Sequence, residues 1–419
     1  GGLHNNAGLL TLGNVEVLNN QDGFGIINEK SGFLQYANGR VSENGAGGIQ
    51  NDAGTVDLTG LTIDLHTSGG GLHNKGVSNS TLTVTNSWIH HNNSVNGAGV
   101  FNDGAMTSVT IENSRINNNT ASAGGGGISN TGILVLNSST VDNNKAKTGG
   151  GIEHQGASFK AENTTISSNT ATDNGGGIAN QTSSTLTNVT ISGNGASASD
   201  TGGNIYNDGD NPQIIFVNTV IANAGPGGNC VNTVGALNSL GHNLESTDSC
   251  NFAAAGDMIN SDPLLGPLQN NGGPTPTHAL QNGSPAIDKG DDAKCPTHDQ
   301  RGVTRPVGPS CDIGSVEANG VTPIYGVDLS PDDAKSGVNG DSVTYLLILA
   351  NNGNVTDTFD LIVSGNSWPT ELSADTVTLP AGQTNNIIAT VTIPADEPGN
   401  ASDMVTVTAV SQGDPSKDD

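Results

Sequence analysis

"GGGISNTG", Gly125 to Gly132, is the stretch whose reading decides the rest of the chain. Clustered glycines turn backbone N–H groups toward an anion, so in isolation it has the composition of a phosphate-binding loop. Such a loop occurs once, between a strand and a helix, and runs on into Lys-Ser or Lys-Thr. Here Thr131 and Gly132 lead into "ILVLN", a second strand-like segment, and the motif returns along the chain. Its asparagine recurs as Asn5, Asn28, Asn51, Asn74, Asn102, Asn130, Asn180 and Asn207, with His154 in the one gap, at spacings of 23 to 28 residues. That period predicts a solenoid whose coils bulge at loops.

A second column runs through the same units, a β-branched residue followed three positions later by asparagine. It comprises Val17/Asn20, Val41/Asn44, Ile89/Asn92, Ile116/Asn119, Val141/Asn144, Ile166/Asn169 and Ile191/Asn194, with Ile63/His66 as the exception. Between the columns lie alternating segments such as "TLTVTN" (Thr81 to Asn86), the pattern of half-buried strands. Coils of about 25 residues with short strands and Gly/Asn turns predict a right-handed parallel β-helix of about nine coils over residues 1–224, with coils about 4.8 Å apart. Asn20, Asn44, Asn92, Asn119, Asn144, Asn169 and Asn194 are expected to stack as an amide ladder, and glycine to make the corners. His66, His90, His91 and His154, at or near ladder positions, read as structural. The column preceding the first asparagines, from His4 and Ile27 to Ala179 and Tyr206, varies in chemistry as a solvent face would.

Composition agrees with a thin repetitive core: 60 glycines in 419 residues, aromatics at 3% and apolar residues at 33%. A formal charge of −27 repels nucleic acid and anionic lipid. No run of 18 apolar residues predicts membrane insertion. Neither a signal peptide nor a complete first coil is visible, and the chain is expected to be a processed or truncated piece of a secreted protein. Cys230 with Cys250 and Cys295 with Cys311 read as two short disulfide loops, consistent with an oxidising compartment.

Catalysis on a β-helix would need paired carboxylates about a scissile bond, or a calcium cluster with a basic residue. Residues 1–224 offer scattered acids, no Arg or Lys recurring in register with an Asp cluster, and one tryptophan, Trp88. A polysaccharide lyase or hydrolase is therefore the alternative reading, and a glycan-binding adhesin another.

After Asn223 the repeat dissolves. The segments "GSPAID" (Gly283 to Asp288), "DQRG" (Asp299 to Gly302), "RP" (Arg305, Pro306) and "CDIG" (Cys311 to Gly314) resemble the closing region of the bacterial choice-of-anchor Q surface proteins, a likeness that covers residues 1 to 317. "GSVE" (Gly314 to Glu317) stands where that family has a sequence similar to "GAFE". The resemblance implies a secreted or surface-displayed β-helical protein with no established catalytic activity. Residues 225–318 are expected to cap the solenoid, held by ion pairs of Arg301 and Arg305 with Asp288, Asp299, Asp312 and Glu317. Asp288, Asp291 and Asp292 form the one candidate metal group, and calcium the one candidate cofactor.

"NGVTPIYG" (Asn319 to Gly326) reads as a linker. Beyond it, alternating segments at roughly ten-residue spacing predict an immunoglobulin-like sandwich over residues 324–419, and "LANNGNVTDTFDL" resembles the extracellular Ig-like repeats associated with α-galactosidases. Trp368 is expected in its core. A naked coil at one end and a sandwich lacking a closing strand at the other suggest head-to-tail self-association. Taken together, the sequence predicts a non-catalytic structural protein of the bacterial cell surface, a filament subunit or adhesin stalk whose partner is a copy of itself, a surface glycan or a surface protein.

Overall fold

Each repeat of the glycine motif folds as one coil of a parallel β-solenoid. In a computed structural model, which describes residues 2–76, 79–197, 201–318, 325–353 and 355–419, ten strands from Leu3–Asn6 to Cys230–Asn232 stack in chain order as one parallel sheet. The other strands of each coil form a larger parallel sheet, and Asn93–Ser94, Thr120–Ala121, Lys145–Thr148, Thr170–Asn174 and Gly195–Ala196 form a short five-stranded one. The described residues contain strands and no α-helix. One stack of buried side chains runs inside the coils, including Ile26, Ile49, Ile128, Ile166 and Phe216.

Two different constraints explain the glycines of the opening stretch. Gly125 has φ +62°, and a Cβ there would lie 2.3 Å from the Ile128 carbonyl oxygen, because the turn folds back over the strand that follows it. Gly127 instead faces the ladder: a Cβ would come 3.0 Å from Asn144 Nδ2 and 2.7 Å from the Gly151 oxygen of the next coil. The fold-back also alters the expected solvent face. Ser129, Glu153 and Ala179 are buried, and burial raises the Glu153 carboxyl above its ordinary range.

Both asparagine columns form ladders. In the first, each Nδ2 donates to the next Oδ1 at 2.6–2.9 Å from Asn5 to Asn130. Asn130 then donates to His154 Nδ1 at 2.9 Å, while His154 Nε2 faces Thr182 Oγ1 and the Ser183 oxygen. In the second, the next Oδ1 accepts both a side-chain amide and a backbone N–H. Asn20 is joined in this way to Asn44, and Asn92 through Asn119, Asn144 and Asn169 to Asn194. His66 stands between Asn44 and Asn92: its Nδ1 accepts the Asn44 N–H, and its own N–H donates to Asn92 Oδ1.

The sequence motif ends near Asn223, but the pairing continues. Cys230–Asn232, Ala236–Ser239 and Leu244–Glu245 add a tenth coil, one more than the repeat predicted. Asn194 passes the second ladder to Asn204, then Asn229, and finally to Glu245. Glu245 is fully buried, and its carboxylate accepts from the Ser249 and Cys250 N–H groups and the Thr247 and Ser249 hydroxyls. A carboxylate closes the stack because the last rung needs only acceptors.

The chain divides into two compact units, residues 1–320 and 321–419. Residues 319–324 of the expected linker lie outside the described residues. In the second unit Val327–Ser330, Ser342–Asn351, Thr370–Leu372 and Thr384–Thr392 form a four-stranded antiparallel sheet, and Asp357–Ser364, Thr376–Leu379 and Thr406–Ser411 a three-stranded one. Leu349 and Ile387 from one sheet meet Phe359, Leu361 and Val377 from the other. Trp368 does not join them. It is half-buried, and its Nε1 donates to Glu397, because smaller apolar side chains already fill the core.

The two ladder histidines carry a testable consequence. Burial pushes both imidazoles down to about 4, whereas an unfolded histidine titrates near 6.5. The unfolded chain thus binds more protons between these limits, so their contribution is complete above about pH 6.5 and is lost as pH falls toward 4. Asp312, raised to about 6 by burial, acts with the opposite sign and is common to every variant below. His66 Nε2 is buried without a partner, whereas Asn44 and Asn92 each use Nδ2 to reach a carbonyl of the preceding coil. His66→Asn should therefore raise Tm at pH 7, and the double variant with His154→Asn should flatten the fall in Tm between pH 6.5 and 4, as followed by calorimetry.

Candidate functional site

Outward-facing side chains on the third strand of each coil fall into two registered columns. One runs Glu16, Arg40, Thr62, Trp88, Arg115, Thr140, Thr165, Thr190 and Val220, and the other Leu18, Ser42, Asp64, His90, Asn117, Asp142, Ser167, Ser192 and Ala222. The two halves of this face differ in chemistry. From Thr140 onward the side chains are small, and the closing module explains why.

That module has two tasks. Residues 246–258 close the end of the core, where Cys250 and Phe252 pack on the stack and Phe252 meets the ring of Phe216. Residues 263–317 return along the flank of the solenoid. Gln300 bonds the Ser139 oxygen and the Thr140 and Thr165 hydroxyls, Thr190 Oγ1 accepts the Ser315 N–H, and Asn163 donates to the His298 oxygen. His278 donates from Nδ1 to the Gly266 oxygen and accepts from Ser167 at Nε2, with burial lowering its pKa. Threonine and serine suit the contact because a short hydroxyl lets a second backbone approach and still supplies a hydrogen bond.

Beyond the edge of this flank, at Pro274 and Pro276, the face is open and carries charge and an aromatic ring. Arg40 makes a bidentate pair with Asp64 of the next coil, Nε to Oδ1 at 3.0 Å and Nη2 to Oδ2 at 2.7 Å. Arg115 repeats the geometry with Asp142, both contacts at 2.8 Å. Trp88 follows the same diagonal, its Nε1 donating to Asn117 Oδ1 at 2.5 Å. His90 lies under the indole, ring centroids 4.0 Å apart, with Nε2 3.8 Å from Asp64. Burial would raise the Asp64 carboxyl, but hydrogen bonds led by those from Arg40 bring it below the ordinary range. Burial holds His90 below its usual value, partly offset by Asp64. Leu61, Trp88, Asn113, Arg115, Pro274 and Pro276 are among the residues lining a shallow groove of about 380 Å³.

Each arginine thus pairs with one aspartate of the next coil, not with an Asp cluster, a pairing not anticipated from the sequence. Arg40 and Arg115 immediately precede the β-branched column, and Asp64 and Asp142 immediately follow it one coil later, a signal the sequence contains. The expected metal group does not assemble. Asp291 pairs with Lys294 and accepts the Ala293 N–H, Asp292 accepts the Cys311 N–H, and Asp288 Oδ1 is buried without a partner. Among the described residues no three His, Cys, Asp or Glu side chains are placed to hold a metal ion. Both anticipated disulfides, Cys230–Cys250 and Cys295–Cys311, are formed. The arginines pair selectively, Arg301 with Asp299 and Arg305 with Glu317, all four buried. Asp312 instead accepts the N–H groups of Asp288 and Ala318.

No protein-family model matches the chain, and no curated protein matches it.

Arg305 also donates to the Asp312 and Gly314 oxygens, so Arg305→Met leaves the Glu317 carboxylate buried without its cation. A loss of about 3–5 kcal/mol is expected, with proteolysis of residues 263–317 preceding that of the coils. Adding Glu317→Gln should recover part of it. Unchanged melting of the single variant would show that this pair does not hold the flank.

Proposed function

We propose that the protein is a secreted, non-catalytic structural component of the bacterial cell surface, in which the solenoid serves as a stiff spacer. The observation that carries this reading is where the polar chemistry goes. The recurring asparagines and ladder histidines are buried in hydrogen-bonded ladders, and Asp64 and Asp142 are occupied by arginines. A hydrolase needs a pair of carboxylates free to exchange protons, and these two are locked.

The two disulfides support secretion. The closing motifs support placing the chain beside the choice-of-anchor Q surface proteins. The pair of antiparallel sheets in the second unit is compatible with an Ig-like domain serving display or assembly. Head-to-tail association into a fibre and use as an adhesin stalk are the two forms of the proposal.

The test combines imaging with an activity screen. Electron microscopy of the purified chain should show rods, single in the stalk form and joined end to end in the fibre form. Incubation with uronate and neutral polysaccharides should release no unsaturated or reducing ends. Turnover abolished by Asp64→Asn or His90→Ala would replace this proposal with the lyase or hydrolase reading.

A further inference from the structure

Arg40, Thr62, Trp88 and Arg115 stand opposite one another on successive coils, about 4.8 Å apart. None belongs to the core, to either ladder or to the surface under the flank. Trp88 is the conspicuous member. It is 43% exposed, on a parallel sheet, in the groove that Pro274 and Pro276 of the flank help to line. Its indole N–H is fixed by Asn117 and its ring is supported by His90, so its orientation is set before any ligand arrives.

The polar groups around it are equally preset. Each guanidinium is tied to its aspartate through Nε and Nη2, and neither Nη1 has an acceptor among the described residues. Pro274 and Pro276 add an apolar wall. A supported aromatic face flanked by fixed N–H donors and amide oxygens matches a pyranose, whose C–H face is apolar and whose rim is hydroxyl. Charge selects further. Each arginine is neutralised by its own partner, and a chain of net charge −27 repels anionic polymers.

We infer that this groove and the adjoining face bind a neutral oligosaccharide, one sugar ring lying on Trp88 and the hydroxyls of it and its neighbours meeting Arg115 and Asn113 in the groove and Asn117 and Arg40 beside it. Rigid side chains at coil spacing suit a repeating polymer, since successive rungs can meet successive sugars. Binding of this kind would make the spacer an adhesin. It rests on the proposed function in one respect, that the bound saccharide is left intact.

The test uses the full chain carrying Trp368→Phe, so that Trp88 is its only tryptophan. It is titrated with cellohexaose, mannohexaose, xylohexaose and chitohexaose, with hexagalacturonate as the anionic comparison. A saturable change in Trp88 fluorescence with at least one neutral probe is expected, together with no response to hexagalacturonate. In calorimetry, Trp88→Ala on the unaltered chain should weaken that binding about tenfold or more, while Trp88→Phe retains most of it. Neither variant should change Tm by more than a degree or two, because the ring is on the surface. Silence toward all four neutral probes, a preference for hexagalacturonate, or equal affinity in Trp88→Ala would each overturn the inference. Cleavage of a bound probe would contradict the non-catalytic reading and leave the groove assignment standing.

Discussion

The solenoid depends on a property of one side chain: the asparagine amide carries a donor and an acceptor at its tip, so identical copies can bond one another indefinitely. At the corners of a parallel coil the backbone turns away from sheet pairing, and its polar groups are buried. Asn144 shows how these needs are met together. Its Oδ1 accepts the side-chain and backbone N–H groups of Asn119, and its Nδ2 reaches both Asn169 Oδ1 and the Ile116 oxygen. Glycine at 127 follows, since a Cβ there would come 2.7 Å from the Gly151 oxygen of the next coil and press on Asn144. Histidine can replace asparagine because a neutral imidazole nitrogen accepts from the preceding rung, and burial keeps it neutral.

With the inner corners closed in this way, the outside of the coil is left to vary. Its third strand shows that variation most clearly. Where the flank returns, the registered positions are Thr140, Thr165 and Thr190, which accept a second backbone. Where it does not, they are Arg40, Trp88 and Arg115, fixed by partners in the next coil. The flank therefore braces the later coils and ends in a wall beside the exposed tryptophan. A solenoid with one differentiated patch follows from a single repeat and one folded-back segment.

The coils were legible in the sequence because they are local: each aliphatic residue and its asparagine lie three positions apart, and the next copy is 22 to 27 residues on. The ladder was legible until the rule changed. Ala224 stands where the next rung asparagine would fall, and Asn204 fills the gap from the corner position that Gly177 holds one coil earlier. The flank was not legible, since Gln300 finds Thr140 and Thr165 across 160 and 135 residues and nothing in a threonine announces such a partner. The candidate groove was partly legible. Trp88 was conspicuous, but its setting depends on pairs between coils that become visible only when the repeats are aligned on Ile89, Ile116 and Val141.

The central claim is that side-chain rungs, as much as backbone pairing, hold the coils together, and native-state hydrogen exchange tests it most directly. The backbone N–H groups of Asn92, Asn119, Asn144 and Asn169 donate to side-chain oxygens of the next coil. They should exchange only through global unfolding, as slowly as the N–H groups of the neighbouring strand residues Ile89, Ile116, Val141 and Ile166. Exchange of these four amides at the rate of exposed turns, with the strands still protected, would contradict the account.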